Sequence, residues 1–203
     1  MKRPHGVVVA SKNVDKIAEI EAVLATLDPP LRVIPGHTWD DVDETEPTLE
    51  GNALLKARAV VDATGEAAVA DDTGLEVSAL GGAPGVHTAR YAGPDATYDD
   101  NVSKMLEEMG GVDDRSARFR TAVALVWPNG DELIVEGFLD GSITRERRGS
   151  GGFGYDPIFE VGGMTLAEMP SDEKNRISHR ARGLLALAEA LAGADGPPDG
   201  ERH

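Results

Sequence analysis

The chain opens with a strand, a helix and a second strand in quick succession, and this pattern restricts its fold more than any other feature. Gly6 to Ala10 (GVVVA) reads as a buried strand. Ile17, Ile20, Val23, Leu24 and Leu27 then recur at helical spacing between Asn13 and Leu27, with charges between them. Leu31 to Ile34 reads as the second strand, completing a β-α-β unit. Further along, Leu54 to Ala63 and Tyr98 to Met109 read as helices. Arg118 to Trp127 and Glu132 to Leu139 read as strands joined by Pro128-Asn129-Gly130-Asp131, where the Asn-Gly pair marks a hairpin. Ser171 is placed to cap a final helix with apolar positions Ile177, Leu184, Ala188 and Leu191. The alternation gives an α/β or mixed α+β fold with a long hairpin in the second half. No repeat or linker interrupts it, so residues 1–192 are expected to form a single domain. The remaining GADGPPDGERH, from Gly193, lacks an apolar pattern and is expected to be a disordered tail.

Charge narrows the partners. Lys plus Arg number 20 against 36 Asp plus Glu, a net charge of −16. That balance argues against nucleic acid, whose affinity rests on a basic surface, but leaves room for a nucleotide in a local basic pocket. There is no cysteine, hence no disulfide or thiolate metal site, which favours a reducing cytoplasm. The apolar run after Met1-Lys2-Arg3-Pro4-His5 is too short for a signal peptide or a membrane span, so a soluble cytoplasmic protein with no membrane partner is expected.

Chemistry is concentrated in five places. Asp71 and Asp72 follow the apolar run Ala67 to Ala70 and lead into Thr73-Gly74-Leu75. Read as strand, acidic corner and strand, this sets two carboxylates side by side. They form either a solvated turn or a pair eased by a cation such as Mg²⁺, which binds carboxylate and phosphate oxygens together. Ser11-Lys12-Asn13-Val14-Asp15-Lys16 lies where a buried strand meets a helix, with backbone N–H groups available to an anion. Lys16 in the first helical turn opposes the macrodipole, a cost that a bound phosphate reverses; a capped helix with a solvated lysine is the plain alternative. Asp43, Glu44 and Glu46 belong to an acidic stretch that is either a solvated loop or the source of a remote metal ligand.

The fourth place is Gly149-Ser150-Gly151-Gly152-Phe153-Gly154-Tyr155-Asp156-Pro157. Its spacing mimics a dinucleotide fingerprint, but the chain continues extended through a proline where that motif requires a helix. What remains is Phe153 on a glycine-rich loop, able to stack on a planar base or to tuck into the core. The fifth is the basic run Lys174 to Arg182, where Arg176 and Arg180 sit four apart on one expected helix face. It serves either an anionic ligand or the acidic surface around it.

Taken together, SKNVDK, TLEGNALLKA, ADDTGL with LGGAPGVHTARYAG, SGGFGYDPIF and EKNRISHRARGL, in this order from Val7 to about Leu191, resemble the inosine triphosphate pyrophosphatase family. The resemblance implies a long curved mixed sheet flanked by helices, forming two lobes around a central cleft, and a homodimer. It implies Mg²⁺-dependent hydrolysis of non-canonical purine nucleoside triphosphates to the monophosphate and pyrophosphate. By the same resemblance, Ser11 to Lys16 binds triphosphate, Asp72 is general base and metal ligand aided by Asp71, and Thr73 touches substrate. Glu44 aligns as the second metal ligand, Phe153, Gly154, Tyr155 and Asp156 as the base-binding loop, and Lys174, His179 and Arg180 as further substrate contacts. His179 and Arg180 are the donors expected to read a purine keto oxygen. A nucleotide-binding regulator without turnover and a pyrophosphatase for modified pyrimidine nucleotides are the alternatives; the intact Asp71-Asp72 pair argues against the first, and the FGYD and SHR segments against the second.

Overall fold

The computed structural model describes residues 2–194. Seven strands form one mixed sheet: β1 (Val8–Val9), β2 (Ala68–Val77), β3 (Pro84–Gly85), β4 (Ser116–Val126), β5 (Glu132–Ile143), β6 (Phe159–Val161) and β7 (Met164–Thr165). The order is β1-β2-β4-β5-β6-β7, with β3 also paired to β2. β1 runs parallel to β2 and every other pairing is antiparallel. Five α-helices accompany the sheet: α1 (Val14–Thr26), α2 (Leu49–Thr64), α3 (Tyr98–Glu108), α4 (Ser171–Ile177) and α5 (His179–Ala194). The mixed α/β class and the long central hairpin are as expected.

Two elements depart from the sequence reading. The expected strand at Leu31 to Ile34 reduces to one parallel bridge between Val7 and Val33. Pro29, Pro30 and Pro35 flank it, and prolines bring no N–H with which to extend a ladder. The expected single final helix begins at Ser171, one residue beyond the Pro170 cap position, and breaks at Ser178. Ser178 is extended (φ −60°, ψ 153°), and its hydroxyl accepts the Ala181 N–H at 3.1 Å, capping α5. Arg176 and Arg180 therefore sit on different helices and share no face. α5 continues through Ala194, past the expected start of the tail, whose remaining residues 195–203 lie outside the described residues.

The sheet alternation decides what packs where. Val69, Val123 and Leu125 face α1 and α5, meeting Ile20, Leu24, Leu184 and Leu187. Ala68, Ala70, Ala122 and Ala124 face the other way, and these small side chains let α2 lie close through Ala53, Ala57 and Val60. A third cluster covers the far halves of the strands, where Leu75, Val77, Phe119 and Leu139 meet α3 and the segment from Tyr155 to Leu166. No helix among the described residues is long and apolar enough to cross a membrane.

β2 positions the two aspartates. It runs unbroken from Ala68 to Val77, so Asp71 and Asp72 lie inside a strand and not at a corner. Gly74, which read as the turning residue, stays in the strand. A Cβ there would stand 2.9 Å from the Gly85 carbonyl oxygen, so glycine is needed for β3 to approach. β4 pairs with β2 along its whole length, which puts β1 and β3 on the opposite edge. β1 ends opposite Val69 and β3 ends opposite Leu75. Between them the edge of β2 is open at the two carboxylates, beside the point where β1 delivers the chain into α1.

Candidate active site

Because successive strand residues point to opposite faces, Asp71 and Asp72 take different nearest partners, although Lys16 and Lys56 act on both. Asp71, 3% exposed, accepts from Arg180 Nε at 3.1 Å and from Thr73 Oγ1 at 3.1 Å, and its Oδ2 lies 3.3 Å from Lys16 Nζ. Burial opposes its charge, but Lys16, Arg180 and Lys56 hold its carboxyl far below the usual range. Asp72 faces α2, where Lys56 Nζ lies at 2.9 Å and Asn52 Nδ2 at 3.4 Å. Burial pushes Asp72 above the ordinary aspartate value, with Lys56 pulling it back. The two neighbours thus have opposite characters: one is a fixed anion, the other a carboxylate poised to take a proton.

Lys56 had no role in the sequence reading. It bridges Asp72 to Glu44, whose Oε1 lies 2.7 Å from the ammonium, and Arg90 stands 3.7 Å from the other Glu44 oxygen. Asn52 is four residues before Lys56 on the same face of α2, and its Oδ1 accepts the Glu46 N–H at 2.9 Å. That bond anchors the acidic segment over Asp72 and leaves Glu44 half-buried, while Asp43 and Glu46 are exposed. The readable clue was an Asn and a Lys at helical spacing among apolar residues.

The turn from β1 into α1 is held by Asn13, whose Oδ1 accepts the N–H groups of Asp15 and Lys16 at 3.0 and 3.2 Å. The cap consumes two of the donors expected to meet an anion. Lys16 projects into the cleft. Burial lowers its ammonium below the ordinary lysine value, against the pull of Asp71. Ser11 accepts the Asn13 N–H at 3.2 Å, and Lys12 pairs with Asp41 at the surface. Val14 and Asp15 are exposed and stand outside the cleft.

The glycine-rich loop is locked from beneath by Asp156. Its Oδ2 accepts the Phe153 N–H at 2.9 Å and the Lys174 ammonium at 2.6 Å. Gly152, at φ +69°, is required there, since a Cβ would lie 2.0 Å from that oxygen. Tyr155 donates to the Thr88 carbonyl at 3.0 Å, so Phe153 and Gly154 are the loop's presented residues. Lys174 Nζ stands 4.9 Å and the Arg180 guanidinium 5.7 Å from the Phe153 ring centroid. Glu19 of α1, also unassigned from sequence, joins the parts: it accepts from Lys174 at 2.6 Å and from Arg180. Its three-residue spacing from Lys16 was the available clue.

His179 stacks on Phe119 with ring centroids 4.5 Å apart, and burial holds it neutral. Its Nδ1 is buried without a partner among the described residues. Arg180 is committed through Nε to Asp71 and through one terminal nitrogen to Glu19, so it fixes Asp71 in place. The structure brings Asn13, Lys16, Glu44, Asp72, Thr73, Phe153, Gly154, Tyr155, Asp156, Lys174, His179 and Arg180 to the walls of one cleft. Ser11, Lys12 and Asp71 border the adjoining recess. An aromatic loop thus faces a mixed cluster of cations and carboxylates, an arrangement suited to a planar base attached to an anionic chain.

Known proteins of the same build exist. The model of the Ham1 family matches residues 7–190. A dITP/XTP pyrophosphatase of Chlorobaculum tepidum is 48% identical, the match covering 91% of this chain and 92% of that one. The solved HAM1 protein from Coxiella burnetii is 42% identical, with a TM-score of 0.81 over 93% of this chain and 98% of that one. The Staphylococcus aureus Ham1 protein is 36% identical, with a TM-score of 0.79 over 94% and 100% of the two chains. With sequence and fold matched over nearly its whole length, the chain belongs to the Ham1 family.

Proposed function

We propose that this chain hydrolyses the α–β phosphoanhydride of non-canonical purine nucleoside triphosphates, ITP, dITP and XTP, releasing the monophosphate and pyrophosphate. The observation that carries the reading is a buried carboxylate, Asp72, paired with Lys56 at 2.9 Å and set in the same cleft as the Phe153 loop and Lys16. The relative from Chlorobaculum tepidum, a dITP/XTP pyrophosphatase, supports it.

The residues divide the work. Phe153 stacks on the base. Lys16 meets the phosphates at the strand-to-helix turn. Asp72 orients a water and takes its proton as the oxygen adds to phosphorus, and the anhydride P–O bond breaks with its electron pair on pyrophosphate. Lys56 and Lys174 add positive field as that charge develops. Glu44 and Asp72 would hold Mg²⁺: both reach the same ammonium, so the pocket between them already accommodates a cation. Among the described residues no group of three or more acids and histidines forms a closed metal cage. That fits an ion held by one or two carboxylates and otherwise by substrate phosphates. When bound, Mg²⁺ neutralises phosphate charge and lowers the pKa of a bound water. A homodimer, a cytoplasmic location and a single two-lobed domain over residues 1–192 belong to the same proposal. Sedimentation at about twice the 21.4 kDa chain mass is the expected result.

Product analysis tests the reaction. ITP with Mg²⁺ should give IMP and pyrophosphate, and a chelator should stop release. Orthophosphate as the first product, or release indifferent to chelator, would overturn the assignment. Two variants test the roles. Lys16→Ala should raise KM for ITP and lower kcat, because phosphate charge grows towards the transition state; wild-type values of both would remove the turn from the site. Lys56→Met should move the acid limb of the kcat/KM profile to higher pH. Asp72 must be ionised to act, its pKa already lies above the ordinary aspartate value, and Lys56 is the cation that most opposes this rise. An unmoved limb would detach Asp72 from the profile.

A further inference from the structure

Tyr98, the first residue of α3, joins the two ends of the cleft and has no part in the account above. Its phenol oxygen accepts from Asn13 Nδ2 at 2.7 Å, at the turn assigned to phosphate. Its ring lies 5.9 Å from the Phe153 ring, centroid to centroid, at 36°. The amide of Asn13 cannot be the other way round, because its oxygen is occupied by the N–H groups of Asp15 and Lys16. The phenol therefore receives this bond and keeps its own proton to donate.

The helix start that carries the ring is held in place from several sides. Thr97 and Asp100 form a capping box at the start of α3. Asn101, buried in the same helix, donates to the Ala89 carbonyl at 2.9 Å and accepts the Ala92 N–H at 2.8 Å. Arg147 donates to the Asp99 carbonyl at 3.0 Å. At 44% exposure, Tyr98 is a large side chain presented to the cleft without being buried by the fold.

Spacing decides what it can meet. A planar base between two rings needs two carbon contacts of about 3.5 Å, or about 7 Å between centroids. The 5.9 Å found is too narrow, so Tyr98 does not form a sandwich with Phe153 around the base. The part of a nucleotide lying between a base on Phe153 and phosphates at Asn13 and Lys16 is the sugar. We propose that Tyr98 is a substrate-contacting residue that walls the sugar and donates its phenol proton to a sugar oxygen. This rests on the cleft being the nucleotide site.

The test compares Tyr98→Phe, Tyr98→Ala and Phe153→Ala with wild type, measuring KM and kcat for ITP, inhibition by IMP, and melting temperature. Tyr98→Phe should raise KM about 2- to 10-fold, the loss corresponding to one net hydrogen bond, with kcat within about twofold and an unchanged melting temperature. Tyr98→Ala, which also loses the ring, should raise KM further. The inhibition constant of IMP should rise by the same factors, since IMP keeps the sugar but lacks the outer phosphates. KM rising while IMP inhibition stays unchanged would mean that Tyr98 acts only through Asn13 on the phosphates, overturning the proposal. Wild-type KM in both Tyr98 variants, with Phe153→Ala impaired, would also overturn it while leaving the nucleotide site standing. If Phe153→Ala too matched wild type, the base loop and this proposal would fall together.

Discussion

Asp72→Asn should lower kcat for ITP by ~10² to 10⁴-fold, the usual loss when a general base is removed, with the fold intact. The substitution keeps the shape of a side chain that is 6% exposed and touches Lys56 and Asn52. It removes a buried cleft carboxylate whose affinity for a proton is raised; the other, Asp156, is tied down by the Phe153 N–H and the Lys174 ammonium beneath the loop. Because burial makes the charge of Asp72 unfavourable in the folded state, the variant should melt no lower than wild type. Lys56 still has Glu44 at 2.7 Å and is not left unpaired. Pyrophosphate release and a thermal melt check the two halves of this expectation. Near-normal kcat would shift the base to Glu44, the other carboxylate at Lys56. Asp71 is an unsuitable substitute, because Lys16, Arg180 and Lys56 hold it as an anion.

Asp71→Asn is expected to act chiefly on stability, costing about 3–5 kcal/mol, the typical penalty for removing one partner of a buried ion pair. Arg180 would retain only Glu19, and Lys16 would lose its nearest counter-charge. Urea denaturation at neutral pH measures the loss. The sign of its pH dependence follows from the depressed carboxyl. Asp71 contributes stability that is present above the ordinary aspartate pKa of about 3.9 and is lost as pH falls below it towards the folded value. The gap between wild type and variant should therefore narrow in acid below about pH 4. Equal stability at pH 7 would mean that the Lys16–Asp71–Arg180 cluster does not hold the site together.

What the sequence made legible follows from how local each determinant is. The α1 spacing, the Asn-Gly hairpin and the strand opening at Ala67 to Ala70 could be read because periodicity and turn chemistry act over a few residues. The Phe153 loop could be read because glycines surround an aromatic in a chain poor in aromatics. Asp71-Asp72 drew attention correctly, but Gly74 made a strand look like a corner; its real cause, the approach of Gly85, lies across the sheet. The break at Ser178 was hidden because a serine within a helical pattern reads as a tolerated interruption, whereas here its hydroxyl caps α5. Lys56 and Glu19 offered only a helical spacing, and Tyr98 gave no signal. Each gains its role only when segments distant in sequence converge: α2 with the acidic loop, α1 with α4 and α5, and α3 with the turn at Asn13 and the loop at Phe153.

The ratio of kcat/KM for ITP to that for ATP is the most direct test of the proposed function. Hypoxanthine presents an acceptor at O6 and a donor at N1, whereas adenine presents a donor and an acceptor there. Each reversed group left unsatisfied in a desolvated pocket costs about 1–3 kcal/mol. His179, buried with its Nδ1 unpartnered among the described residues, shares the cleft with Phe153 and is the side chain available to read that edge. Two reversed groups together should cost at least about 2 kcal/mol, so ITP should be preferred by about 30-fold or more. That preference, with pyrophosphate as product, is the result expected for an enzyme that clears non-canonical purines. Equal kcat/KM for ITP and ATP would contradict it, even if the same residues still cleaved the anhydride.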